Sequence, residues 1–181
     1  MKQGYICGRN SIGGKGMKLY IKQTMFSARP HFLVKDENQN DKYNITTEGM
    51  IQVGLQLHIY DMDQRKVGRI SQKGLSLLPT FRVFRNEEQV ATIVKKFTLL
   101  KPKYEVSELG WTIEGDFLAH DYTVSDHSGV IMSIKKEWLA WGDAFTIDMK
   151  NPGHEIEAIA VVLAIDCIVD AQEENAIDSI T

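Results

Sequence analysis

Cysteine is scarce in this 181-residue chain, which has only Cys7 and Cys167, at opposite ends. One lies in a glycine-rich opening and the other in an apolar run, so no structural disulfide is expected and a reducing cytoplasm fits best. A basic excess is also lacking. The formal net charge of −3 argues against general nucleic-acid binding, which needs a clearly basic face. No apolar stretch follows Lys2, so no secretory signal is legible. The longest apolar run stops well short of the ~20 residues that span a bilayer, so the chain is not expected to be transmembrane. Catalytic signatures are missing as well. Gly13-Gly14-Lys15-Gly16 lacks the spacing of a phosphate-binding loop, and no Gly-x-Ser-x-Gly elbow occurs. Asp61-Met62-Asp63-Gln64 lacks the glycine and downstream Glu of an EF-hand. No cofactor, metal or enzymatic activity is therefore expected.

What is present is an ordinary globular composition, 43% hydrophobic and 25% charged, long enough for one substantial core. Residues 1–16 hold five glycines, three basic and no acidic side chains, and read as a flexible extension. Met17 looks like a natural start, and the preceding segment like an over-extended reading frame or an expression remnant. Residues 170–181 carry four acidic and no basic side chains and are expected to form a loose acidic tail. The domain proper is expected over 17–169.

Within it, short β-branched and aromatic runs alternate with turn residues at hairpin spacing. Phe32-Leu33-Val34 is followed by the polar 36–41 stretch, Phe81-Arg82-Val83 by Arg85-Asn86-Glu87, and Tyr122-Thr123-Val124 by Ser125–Gly129. An internal duplication is visible. Pro30-x-Phe32-x-Val34 resembles Pro102-x-Tyr104-x-Val106, Tyr43-x-Ile45 resembles Trp111-x-Ile113, and Phe81-x-Val83 resembles Phe145-x-Ile147. Shared order across these motifs implies two halves of about six elements each. The strand at Val90 to Lys96 corresponds in order to the start of the terminal helix.

That helix, about 154–169, is the one long apolar segment. Ala158 to Ile165 are all apolar and would cover every side of a helix, so it must be enclosed. About twelve strands precede it. Twelve strands form a sandwich or a closed barrel, and such a barrel is too wide for its own side chains to fill, since about eight is the tight case. The chain is therefore expected to be mainly β, a twelve-stranded closed barrel around its C-terminal helix, with little room left for a ligand.

Several strings carry a family resemblance: Leu57-His58-Ile59-Tyr60-Asp61-Met62-Asp63, Gly110-Trp111-Thr112-Ile113-Glu114-Gly115-Asp116-Phe117, Trp141-Gly142-Asp143 and the terminal Ala158–Asp166 run. Across about 17–169 the chain resembles bacterial members of the LURP-one-related family, akin to the tubby C-terminal domain and phospholipid scramblases. The resemblance implies a twelve-stranded barrel around a central helix and little about activity. Tubby domains bind phosphoinositide head groups and scramblase relatives act at membranes with calcium, but neither set of binding residues maps onto this chain.

Two groups of side chains invite function. Lys95 and Lys96, Lys101 and Lys103, and Lys135 and Lys136 stand at strand ends beside Phe97-Thr98-Leu99-Leu100 and Trp138-Leu139-Ala140-Trp141, as Lys73 stands before Leu75-Ser76-Leu77-Leu78. Lysines beside exposed apolar residues suit anionic lipid or a phosphorylated ligand, each worth about 1 kcal/mol near an anionic surface. The alternative is that the apolar tetrads pack as barrel corners or dock a protein partner, the lysines only solvating strand ends. His120, Asp116 and Asp121 invite an acid–base or metal reading. Adjacent strand residues point to opposite faces, however, so His120 and Asp121 could not easily hold one ion. The expected role is non-enzymatic, cytoplasmic or peripheral to a membrane.

Overall fold

A computed structural model describes residues 16–24, 31–48, 54–74, 78–98, 101–139 and 142–178. Twelve antiparallel strands form a closed up-and-down barrel. They are β1 (Met17–Thr24), β2 (His31–Asp36), β3 (Asp41–Glu48), β4 (Gln56–Asp61), β5 (Lys66–Gln72), β6 (Thr80–Arg85), β7 (Glu88–Lys96), β8 (Lys103–Val106), β9 (Trp111–Asp116), β10 (Asp121–Asp126), β11 (Gly129–Leu139) and β12 (Gly142–Met149). Helix α1 (Glu155–Asp178) follows a single 3-10 turn. β1 closes the ring against β12, with Leu19 opposite Ile147 and Ile21 opposite Phe145.

Alternation decides what faces inward. Leu19 and Ile21, Phe32 and Val34, Phe81 and Val83, Tyr104 and Val106, and Ile134 and Ile147 are all buried, while their strand neighbours reach the outer face. Against this lining packs a helix whose Ala158–Ile165 segment is buried on every side. Once the strands have closed on themselves no unpaired sheet edge remains. The paired sequence motifs fall on β2 and β8, β3 and β9, and β6 and β12, each pair six strands apart. One expected correspondence is wrong. In a ring of twelve, β7 stands opposite β1, so its counterpart is a strand and not the helix.

The hairpin at 36–41 is closed by Asp36, whose carboxylate accepts from the backbone N–H of Asn38 (2.8 Å) and Asn40 (2.9 Å). Asp61 does the same for Asp63 and Arg65, and Asp126 for Ser128. Side-chain donors first, Asn40 and Ser128, and backbone N–H groups second hold the Asp36 and Asp126 carboxyls below the ordinary carboxylate range; at Asp61 the Arg65 backbone N–H leads, with the Arg65 guanidinium beside it. Asp63 instead pairs with Arg65 at 2.6 Å. All three turns lie at the end where α1 enters.

The entry end is sealed by charge. Glu157, 4% exposed, accepts from Arg85 Nη2 at 2.5 Å, and the same nitrogen donates to the Gly153 carbonyl at 2.8 Å. Glu155 accepts from Tyr43 Oη at 2.6 Å and Lys42 Nζ at 2.8 Å. Burial, then the Glu155 carboxylate, pushes the Tyr43 phenol well above its ordinary value. Both glutamates occupy the first turn, where the helix dipole favours anions. Wall and helix nearly touch here: a Cβ on Gly68 would lie 2.9 Å from Ile156 Cγ2. The helix does not stop near Val169 as expected from the polar composition beyond it. It runs on to Asp178, past the barrel rim.

Val162→Asp should abolish cooperative thermal unfolding followed by circular dichroism, because an unpaired buried carboxylate costs several kcal/mol against a total stability of roughly 5–15. Arg85→Met alone should cost about 3–5 kcal/mol in urea unfolding by stranding Glu157. Adding Glu157→Gln should recover most of that loss, and a double variant no better than the single would show that Arg85 acts through packing alone.

Candidate functional site at the exit end of the barrel

The strand ends that carry the six lysines all lie at one end of the barrel, where α1 emerges. Strand alternation divides them. On the outer wall Lys96 pairs with Glu105 (2.9 Å), Lys103 with Glu114 (2.6 Å) and Lys135 with Asp121 (3.2 Å). Lys95 shares the face of buried Ala91 and Ile93, and Lys136 the face of Met132 and Ile134. Lys136 Nζ stands 5.6 Å from the centre of the Phe145 ring. Lys101 is exposed in the loop after β7. Lys95 and Lys101 form no ion pair among the described residues. The structure thus brings the six to one end but gives half of them carboxylate partners.

Exposed apolar side chains crowd the same sector. Leu78, Phe97 and Leu118 are 38%, 86% and 67% exposed, on three successive loops at the exit end, between β5 and β6, β7 and β8, and β9 and β10. Trp141, Leu75, Leu77, Leu99 and Leu100 lie outside the described residues, and so do residues 1–15 and 179–181. Trp138 is in β11.

The inward-facing rows end in polar residues at the rim: Gln23 on β1, Gln72 on β5, Lys95 on β7 and Lys136 on β11. Opposite them α1 presents Asp166, the first polar residue after the apolar run. An α-helix rises about 1.5 Å per residue, so the stretch from Glu155 to Asp166 advances about 16 Å. That is close to the roughly 17–20 Å of an ordinary strand. Asp166 therefore surfaces where the wall ends. Its carboxyl is pushed up to about 6 by burial first and by Asp170 one turn on, against a lowering influence from Lys136. His120 Nδ1 is 4.0 Å from Asp166 Oδ1. Tyr122 is fully buried, its hydroxyl has no hydrogen-bond partner among the described residues, and burial followed by the Asp166 charge raises the phenol far above its usual range.

The expectation that the helix leaves little room for a ligand is corrected here. A cleft of about 440 Å³ separates Leu163, Asp166 and Asp170 on the helix from Phe32, Leu55 and Leu57 on the wall. A second, of about 390 Å³, has Asp166 facing Lys22, Lys136 and Phe145. α1 runs nearest to β6 and β7, so the space opens on the other side.

The family model for LURP-one-related proteins matches residues 17–166. The chain belongs to the LURP-one-related family. A Bacillus subtilis relative named uncharacterized protein YxjI is 29% identical over 162 residues, covering 89% of this chain and 99% of the relative. A solved Arabidopsis thaliana structure matches with a TM-score of 0.55 at 13% identity, over 87% of this chain and 91% of that one, and supports the tubby-like fold. None of these names states an activity.

In this LURP-one-related chain the His120, Asp116 and Asp121 group is not assembled. Asp116 Oδ1 accepts from the Ala119 N–H (3.0 Å), Asp121 pairs with Lys135, and His120, in a left-handed turn position (φ 49°), faces Asp166. No set of three His, Cys, Asp or Glu fit to hold a metal occurs among the described residues. No described helix is long and apolar enough to cross a membrane. Sequence reasoning missed Asp166 and Leu118. The signal for Asp166 was available: a lone carboxylate closing an otherwise apolar run.

Asp166 has a raised pKa in the folded state, so its stabilising protonation is present below pH 4 and lost as pH rises through about 6. Asp166→Asn should therefore be more stable than wild type above pH 7, by up to about 3 kcal/mol, with the difference fading towards pH 4. Melting temperatures across that range check it. A variant less stable than wild type at pH 8 would show that the carboxylate makes a net favourable contact with His120 or Lys136.

Proposed function

We propose that this protein is a non-enzymatic, cytoplasmic barrel module that binds peripherally to anionic lipid through its exit end, in the sector from β5 to β10. The observation that carries this reading is the coincidence there of Leu78, Phe97 and Leu118 with Lys95, Lys96, Lys101 and Lys103. Exposed apolar side chains on neighbouring loops can enter the interfacial layer while lysines beside them meet lipid phosphates, each adding about 1 kcal/mol. Lys95 and Lys101 supply charge that no carboxylate among the described residues cancels. Lys96 and Lys103 can exchange surface ion pairs, worth little in water, for lipid contacts. Lys135 and Lys136 stand in a different sector, on β11, and contribute less. The tubby-like fold is compatible with this role without requiring it.

The same exposed apolar residues support a second reading, a protein-docking face without a lipid role. Vesicle co-sedimentation separates the two. The protein should pellet with vesicles containing phosphatidylserine but not with pure phosphatidylcholine. Binding should weaken at least tenfold at high salt and in a Lys95→Glu/Lys101→Glu variant. Phe97→Ser should weaken it too, at every salt concentration. Binding that is absent, or indifferent to charge reversal and salt, rejects the lipid reading. Capture of a protein partner that is lost in Phe97→Ser and Leu78→Ala without any salt dependence supports the second.

A further inference from the structure

At its carboxyl end α1 runs against its own dipole. No Lys, Arg or His occurs between Glu155 and Asp178, and the half of the helix beyond the barrel core carries Asp166, Asp170, Glu173, Glu174 and Asp178. The carboxyl end of a helix favours cations, and like charges four residues apart are unfavourable by a few tenths of a kcal/mol. Asp166 and Asp170 have that spacing, and Asp166 bears the further cost of burial. At the entry end the same helix has each carboxylate matched by Arg85, Lys42 or Tyr43. The contrast concerns placement: among the described residues Asp166 has no ion pair shorter than the 4.0 Å contact with His120 Nδ1, and the Asp166–Asp170 pair borders an apolar cleft.

The cleft has one charged wall. Asp166 and Asp170 stand on the helix side, and among the described residues no lysine or arginine joins its lining. His120, in the turn before β10, and Lys136 of β11 approach Asp166, and Lys136 borders the second cleft with it. Below the carboxylates the lining is hydrocarbon, from Leu163 of the helix and from Phe32, Leu55 and Leu57 of the wall. Gln23 and Gln72 offer amide groups at the lip. An anion entering here would meet two negative charges in a partly desolvated place, and a neutral hydrocarbon would leave them uncompensated. Largely apolar walls with a few convergent polar groups are the usual make-up of small-molecule sites.

We propose that this cleft binds a small amphipathic cation, an alkyl- or arylalkyl-ammonium compound. Its ammonium group donates to the Asp166 and Asp170 carboxylates, and its apolar body lies against Phe32, Leu55, Leu57 and Leu163. The ligand cancels the like-charge pair. Its site is separate from the lysine sector between β7 and β8, and its existence does not depend on lipid binding there.

Isothermal titration calorimetry of the full chain at pH 8 with n-octylammonium, n-octanol, octanoate and ethylammonium tests the assignment. Octylammonium should bind saturably, at least tenfold more tightly than octanol or ethylammonium, and octanoate should give no binding. Asp166→Asn and Asp170→Asn keep side-chain size, remove a charge, and should each weaken octylammonium at least tenfold while leaving octanol unchanged. Retained cooperative melting in both variants excludes unfolding as the cause. Absence of saturable octylammonium binding below about 10 mM, equal binding of octylammonium and octanoate, or unchanged affinity in both variants would each overturn the proposal.

Discussion

A helix with no polar side cannot rest on a surface, and most of this structure answers that constraint. Ala158 to Ile165 are at most 2% exposed, so hydrocarbon must meet them from every direction. A closed sheet supplies it, and the sheet in turn needs the helix, because twelve strands enclose more space than their own side chains can fill. Small inward residues, Gly68 near the helix start and Ala91 on β7, let the wall approach the rod. Where the wall is less close, clefts appear.

The two ends of the barrel solve opposite electrostatic problems. At the entry end the acidic first turn of α1 agrees with the helix dipole, and Glu155 and Glu157 are met by cations and a phenol reaching from β3 and β6. Both first-turn carboxylates therefore have partners at this end. At the exit end Asp166 leaves the core where the strands finish, under pressure from burial and from Asp170, with His120 and Lys136 on one side only.

Charge at the exit end is segregated by the order of strands around the ring. The β7–β8 sector gathers Lys95, Lys96, Lys101 and Lys103 next to Phe97, whereas the first cleft between helix and wall is acidic. The two regions suit ligands of opposite sign. A barrel whose core is filled by its own helix still has a working face, at the rim.

Much of the fold was legible along the chain. Period-two alternation, regular turn residues and one run apolar on all sides are local signals, and together they left a plugged twelve-stranded barrel as the economical packing. The family likeness pointed the same way. The candidate site was legible only in part. Lysine-rich strand ends are visible as strings, and because strands alternate in direction the ends facing one way could be counted. Which lysine of each pair meets a carboxylate depends on register across strands distant from any local pattern, as with Lys96 and Glu105 or Lys135 and Asp121. The continuation of α1 to Asp178 was hidden by a composition that reads as a tail. The sequence by itself thus determined the architecture, because hydrophobic periodicity is a property of consecutive residues. Only the tertiary structure decided that Asp166 stands at the lip of an apolar cleft and that Leu78, Phe97 and Leu118 share one end, because the helix's off-centre position and the closure of the ring bring together residues far apart along the chain.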